Sequence, residues 1–261
     1  MQEFDDIYDK KLAKKYAKYE IQRLSERIDR KRDIGAGRPF KMDLRDRFLM
    51  LLVYYRLYIT YTLSGFLFDL DQSTVCRDIQ KIEKLIRECV PIPQKIYGIT
   101  KRLKTTEEVE QYFPGFLAFI DSTEQQIPRP VDKKRRKVYY SGKKKRHTVK
   151  IQLMVNNHGF VIHKTAHKKG RRRHDYDIYK ENHPVTPKQV VNVVDLGYLG
   201  IEKDFPEQLS SIPQRKKRNL DLSVEEMEYN KIHSKKRIVI EHAICRLKKY
   251  RILAQMYLET G

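Results

Sequence analysis

Three acidic residues in unlike settings have the types and spacings of one metal-assisted site. Asp121 closes the apolar run Phe116-Leu-Ala-Phe-Ile120, Asp195 closes Val190-Val-Asn-Val-Val194, and Glu241 lies inside the amphipathic run Arg237 to Lys248. Short β-branched and aromatic runs read as buried strands, so a carboxylate at the exit is held rigidly at a rim that solvent, metal and substrate can reach. Magnesium and manganese are hard cations that take oxygen ligands. Two such ions, roughly 4 Å apart, can activate an attacking oxygen on one side of a phosphodiester and stabilise the leaving oxygen on the other. Asp121 and Asp195 suit the bridging ligands, and Glu241 suits the completion of the second ion. Taken singly, each acid has a plainer reading as a turn former or a surface charge, because the chain holds 34 Asp and Glu.

The rest of the composition says what such a site would act on. Against those acids stand 55 Lys and Arg, a formal charge of +21 spread along most of the 261 residues. That surface attracts polyanions and gains affinity by releasing their counterions, which points to DNA or RNA. An acidic protein partner or anionic lipid is the alternative. Cys76, Cys89 and Cys245 are odd in number and far apart, so they read as buried free thiols of a reducing cytoplasm. The longest apolar stretch, Phe48 to Tyr55, is far short of the roughly 20 residues that span a bilayer, and the N-terminus lacks a signal core. A soluble intracellular protein without a membrane partner is expected.

The elements that must position the acids fall into two parts. Residues 1–39 read as a basic helical arm, too sparse in apolar residues for a core, ending at Gly35-Ala-Gly-Arg-Pro39. Residues 40–97 read as a helical DNA-binding domain. Phe48, Leu51, Leu52, Tyr55 and Tyr58 recur at helical spacing, Thr62 to Phe68 makes a second short helix, and Val75, Ile79, Ile82 and Ile86 hold one face of a third. Asp71 or Ser73 can cap that third helix. Its other face shows Ser73, Thr74, Arg77 and Lys81, suiting a helix-turn-helix reader with its first turn in the major groove and its cations on phosphates. A plain three-helix bundle fits as well, and the turn lacks the glycine often found there.

After a connector at 98–115, residues 116–261 change period. Strands are expected at 116–120, 148–155, 159–165 and 190–194, with a turn at Asn156 to Gly159, a helix from Asp175 to Lys180, a capping box of Ser223 with Glu226, and a last long helix from Ser234 to Ile252. This order describes an α/β mixed sheet of the RNase H-like type behind an N-terminal all-α helix-turn-helix domain, with a basic insertion near 201–232. Arg215-Lys-Lys-Arg218 in that insertion suits a loop gripping a nucleic-acid backbone, or a plain charged loop. Ser234, Arg237, Glu241 and Lys248 share a helix stripe, where the cations could hold phosphates over the metals; a chain of surface ion pairs is the alternative. His163 and His167 lie four apart but in strand-like sequence without a third ligand, which argues against zinc.

The motifs Phe119-Ile-Asp121-Ser-Thr, Tyr140-Ser-Gly-Lys-Lys-Lys-Arg-His-Thr148, Asp195-Leu-Gly-Tyr-Leu-Gly200 and Arg237 to Lys248, in this order, resemble the DDE transposases of bacterial insertion sequences. The branch is similar to the harbinger-related elements, and the resemblance runs from about Phe40 onward. It implies Asp121, Asp195 and Glu241 as catalytic, metal-binding triad, two Mg2+ or Mn2+ ions, and Arg237 and Lys248 as the basic members of the family's tyrosine, arginine, glutamate and lysine signature, facing DNA. It also implies cleavage and strand transfer at terminal inverted repeats, double-stranded element and target DNA as partners, a homodimer on DNA, and a place in the bacterial cytoplasm at the nucleoid. His174 and Asp175 match a pair common in that family and are expected as accessory residues. Ser234 stands where the signature has tyrosine, and the ending at Gly261 suggests a C-terminally truncated copy. The competing expectation is a helix-turn-helix regulator or transposase remnant that binds without cutting. A tyrosine recombinase is disfavoured because no His is followed by Arg three residues on.

Overall fold

The computed structural model describes residues 2–26, 39–169, 174–216 and 220–255. The expected break at Gly35 to Arg38, the run Arg171 to Arg173, and Lys217 and Arg218 of the basic loop lie outside the described residues. The chain forms two compact units, one of Met1–Ile92 with Tyr250–Ile252 and the other of Pro93–Lys249 with Leu253–Gly261.

The first unit is helical. Helices α1 (Gln2–Ile7) and α2 (Ala13–Ser25) are joined by a π-helical stretch, Tyr8–Leu12, and are followed by α3 (Leu44–Leu57), α4 (Tyr61–Phe68) and α5 (Gln72–Cys89). Side chains set each start: Asp43 accepts from Asp46 N, Thr60 from Leu63 N and Asp71 from Ser73 N, satisfying N–H groups that the helix leaves unpaired. The core joins Phe48, Leu51 and Tyr54 of α3 to Val75, Ile79, Ile82 and Leu85 of α5. Leu12 is fully buried in it and the Phe4 ring stacks on Phe48 at 4.9 Å. The N-terminal segment is therefore part of this core and not the coreless arm expected, because its few apolar residues fall on one stripe.

The turn between α4 and α5 solves its geometry without the usual glycine. Asp69 takes the left-handed conformation at the α4 C-cap, with φ 51°, a region that Asp tolerates better than most residues. The glycine is needed earlier: a Cβ on Gly65 would lie 2.5 Å from the Leu70 carbonyl oxygen, so only glycine lets the chain fold back this closely.

In the second unit, α6 (Pro93–Thr100) and α7 (Thr106–Tyr112) precede β1 (Leu117–Gln126); α8 (Lys133–Tyr139), β2 (Tyr140–Ser141), β3 (Arg146–Asn156), β4 (Val161–Lys164) and β5 (Lys168–Lys169) follow. Then come α9 (Asp175–Asn182), β6 (Val191–Val193), α10 (Ile201–Asp204), β7 (Ser210–Ser211) and α11 (Val224–Lys248), while the short α12 (Arg251–Ala254) is divided between the two units. The strands run β2-β3-β1-β6-β7, with β4 and β5 also pairing β3. β1 is antiparallel to β3 and parallel to β6, and β6 is parallel to β7. This mixed sheet behind a helix-turn-helix region is the fold class expected.

Period-two alternation sends Ala118 and Ile120 into one core with Tyr179 and Tyr198, and Phe119 into another with Val155, Val193, Ile240 and Ala243. The second of these cores fixes α11 against the sheet. The expected last helix from Ser234 to Ile252 instead begins at Val224, behind the Ser223 and Glu226 capping box, and stops at Lys248. No glycine or proline interrupts residues 224–248, so one cap serves the whole length.

Candidate active site

Asp121 sits in mid-strand, since β1 continues to Gln126, and the expectation that it ends a strand is corrected. It is nevertheless an exit in another sense. β6 pairs only Leu117 to Phe119, with Phe119 opposite Val193. Asp121 and Asp195 each lie two residues beyond that pair, Asp121 still within β1 and Asp195 past the end of β6, close enough for the Asp195 charge to act on Asp121. The early end of β6, and not of β1, makes the rim. Sequence periodicity had no signal for this, because pairing length depends on the neighbour.

Local contacts fix both aspartates. Asp121 Oδ1 accepts from Ser122 N at 2.7 Å and its Oδ2 from Arg237 Nη2 at 3.0 Å. Asp195 Oδ1 accepts from Gly197 N at 2.9 Å, closing a tight turn into a 3-10 segment, Leu196–Tyr198. A Cβ on Gly197 would meet that same oxygen at 2.9 Å, so glycine is what allows the carboxylate to fold over its own turn. Burial pushes the Asp121 carboxyl above its ordinary range, and the like charges of Asp195 and Asp175 push the same way. Arg237 and the Ser122 N–H oppose the rise.

Helix α11 supplies the cover. Arg237 and Asp121 pair with side chains only 15% and 20% exposed. Glu241 lies four residues on, about 6 Å along the same helix stripe, where it is exposed. Among the described residues no three acidic, histidine or cysteine side chains converge on one ion position. The structure therefore brings the two aspartates near each other without Glu241 joining them in one cluster, and places Arg237 on Asp121. Lys248 is half-buried, and burial lowers its pKa, as does neighbouring Lys144, while Glu124 and Asp121 raise it. It shares a groove of about 290 Å³ with Lys144, Arg146 and Glu124. Lys144 and Arg146 belong to the 140–148 motif, and β3 carries Arg146 to this groove beside Lys248.

The remaining expected residues divide. Ser73 and Arg77 are exposed on α5, with Arg77 Nε donating to Ser73 O at 3.0 Å, and Thr74 is partly covered. Lys81 turns inward, pairing with Glu20 at 2.7 Å and lying 5.2 Å and 5.3 Å from the ring centroids of Tyr16 and Tyr19. A cation so engaged is not free for a phosphate. Gln80 and Lys84 are exposed on the stripe that Ser73 and Arg77 share, and sequence reasoning missed them. His174 is exposed, its N–H bonded by Asp177 at 3.2 Å as α9 starts. Asp175 pairs with Lys150 at 3.0 Å. His163 stacks on Tyr97 at 4.3 Å, and Cys245 is exposed where burial was expected. No described helix is long and apolar enough to cross a membrane.

Comparison with known proteins gives the family. Residues 120–260 match the family described as DDE superfamily endonuclease, and residues 40–92 match the helix-turn-helix of DDE superfamily endonuclease. The chain is 33% identical over 231 residues, covering 88% of itself and 79% of the relative, to the probable transposase for insertion sequence element IS702 of Microchaete diplosiphon. No solved structure matches it. The chain therefore belongs to the DDE superfamily of transposase endonucleases, with that family's helix-turn-helix at its front.

Proposed function

We propose that this protein cuts DNA strands at the terminal inverted repeats of an insertion sequence and joins the freed 3′-hydroxyl to target DNA, with Asp121, Asp195 and Glu241 as the metal-binding acids. The observation that carries the reading is the parallel register of Phe119 with Val193, from which Asp121 and Asp195 each follow two residues on as β6 ends. The family generally uses divalent metals, and the donors fit one: Asp121 and Asp195 are both carboxylates, the oxygen ligands that a hard ion takes. Asp121 and Asp195 would hold it, Glu241 joining by a side-chain movement on α11. Bound there, such ions supply Lewis-acid polarisation of a phosphoryl oxygen and a more acidic attacking water or hydroxyl.

The chain's own residues do the rest. Arg237 balances the charge of Asp121 and stands where its guanidinium would donate to a phosphate oxygen. Lys248, Lys144 and Arg146 line the groove in which the strand backbone lies. On α5, Ser73, Thr74 and Arg77 read or grip the duplex, with Gln80 and Lys84 beside them. Lys81 is withdrawn from that set by its pairing with Glu20. Cutting two ends together calls for a homodimer on DNA.

The second reading is a DNA-binding remnant that no longer cuts. It is favoured by Arg237 occupying Asp121 and by Glu241 standing in solvent. The two are separated by incubating the full chain with Mn2+ and duplexes that carry the element ends taken from the DNA flanking the gene. Nicking that disappears in Asp121→Asn, Asp195→Asn and Glu241→Gln, with duplex affinity kept, supports the transposase. Specific binding of those ends with no nicking at any Mg2+ or Mn2+ concentration supports the remnant.

A further inference from the structure

The sheet does not hold Asp195. Its last ladder contact is one residue earlier, where Val194 N donates to Ser211 O at 3.1 Å. From Asp195 onward the chain is fixed by its own turn, in which Tyr198 N donates to Asp195 O at 3.1 Å. A turn of three residues cannot by itself set the height of a carboxylate to the few tenths of an ångström that metal ligation needs. Something must fasten that turn to the strands that carry Asp121.

Tyr198 is the buried side chain of the turn, with no exposed surface. Its hydroxyl oxygen accepts from Gln152 Nε2 at 2.7 Å, and the same amide donates to Asp175 O at 3.1 Å. Gln152 is on β3 directly opposite Ser122, the neighbour of Asp121. Its own backbone is clamped on the far side: Gln152 N donates to Thr165 Oγ1 at 3.0 Å, and Thr165 N donates to Gln152 O at 3.0 Å. Lys150, two residues back on β3, ties the Asp175 carboxylate at 3.0 Å and so closes the loop onto α9.

We propose that Gln152 and Tyr198 are positioning residues whose buried hydrogen bond locks the Asp195 turn to the Asp121 strand and thereby holds the two carboxylates at metal-binding separation. The inference rests on the reading of Asp121 and Asp195 as metal ligands. Neither Gln152 nor Tyr198 touches the ion. Both act through the backbone on either side of it, as outer partners of ligands do, and loss of such partners weakens metal affinity by about 10- to 100-fold.

The test is Mn2+ uptake by the full chain without DNA, read from the loss of the free-ion electron paramagnetic resonance signal. The variants are Tyr198→Phe, which removes one oxygen, Gln152→Met, which keeps side-chain length, and the double. Tyr179→Phe is the control: Tyr179 is equally buried in the same core, with its ring edge-on to Tyr198 at 6.0 Å, but its hydroxyl bonds Gln208 Oε1 at 3.1 Å and takes no part in the bond between Gln152 and Tyr198. The expected result is a Mn2+ dissociation constant raised about tenfold in each single variant, no further rise in the double, and no change in Tyr179→Phe at a comparable loss of melting temperature. Wild-type affinity in Tyr198→Phe and Gln152→Met would overturn the inference while leaving the ligand assignment intact, and so would an equal weakening in Tyr179→Phe. A wild-type chain that takes up no Mn2+ at millimolar concentration would overturn both.

Discussion

Deleting the Asp78 carboxylate should melt the helix-turn-helix unit well below the wild-type temperature. Arg47 of α3 donates from Nε to Asp78 Oδ2 at 2.9 Å and from Nη2 to Oδ1 at 2.6 Å, and Nη1 donates to Tyr16 Oη at 2.9 Å. The two side chains are 2% and 9% exposed, so the pair is shielded from water and salt. Asp78→Ala strands the guanidinium with one phenol oxygen and the face of Phe40, 4.3 Å from its centroid. Orphaning one partner of such a pair costs about 3–5 kcal/mol, a large part of the roughly 5–15 kcal/mol that holds a domain together. At roughly 4–8 °C per kcal/mol for a unit of this size, the transition should fall by about 12 °C or more. Because Asp78 faces the core from the helix that presents Ser73 and Arg77, affinity for mixed-sequence duplex should collapse over the same temperature range. Arg47→Met with Asp78→Leu should restore most of the stability, since apolar residues of similar volume commonly replace a buried ion pair without loss. Scanning calorimetry and fluorescence anisotropy on the full chain read both effects. A loss below about 1 kcal/mol in Asp78→Ala, within the range of an exposed pair, would refute the reasoning, as would a double variant no more stable than the single.

Three further outcomes follow from the same contacts. Burial raises the Asp121 pKa, so the folded state holds that proton more tightly than the unfolded one, and metal-free protein loses stability as pH rises through the carboxylate range above about 4; thermal melts in EDTA should show this decline diminished in Asp121→Asn, and parallel profiles would contradict it. Burial pushes His163 down to about 4 from 6.5, so its contribution is present above the unfolded value and is lost as pH falls from 6.5 through 4. His163→Phe, which keeps the stack on Tyr97, should flatten the acid limb of the melting profile. Gly65→Ala should cost roughly 1–3 kcal/mol by driving a methyl group into Leu70 O, measured by urea denaturation, and an unchanged midpoint would show that the α4 to α5 turn relaxes freely.

Much of this architecture is legible in the residues themselves. The apolar runs at 116–120 and 190–194 announce strands because burial on both sheet faces demands them, and the capping box at Ser223 marks the start of α11 to the residue. What escaped was set by partners remote in sequence. Asp121 looks like a strand end because polar residues follow it, yet β3 pairs with β1 through Gln126 and extends the strand. Lys81 has the spacing of a DNA contact, but Glu20, Tyr16 and Tyr19 draw it inward. Leu12 has too few apolar neighbours in its own segment to signal a core and finds them on α3 and α5. In the candidate site, residue types single out the proposed acids, while the Arg237 pairing and the outward position of Glu241 depend on rotamers and on where α11 lands.

The most direct test of the central claim, that Asp121 and Asp195 bind a common ion, is a change of metal preference at one of them. Asp195→Cys replaces a hard carboxylate with a thiolate, which Mn2+ accepts better than Mg2+ does. On duplexes carrying the element ends, this variant should nick in Mn2+ and fail in Mg2+, while the wild type nicks in both and Asp195→Asn in neither. Nicking by Asp195→Asn at the wild-type rate, or by Asp195→Cys equally in the two metals, would contradict the account.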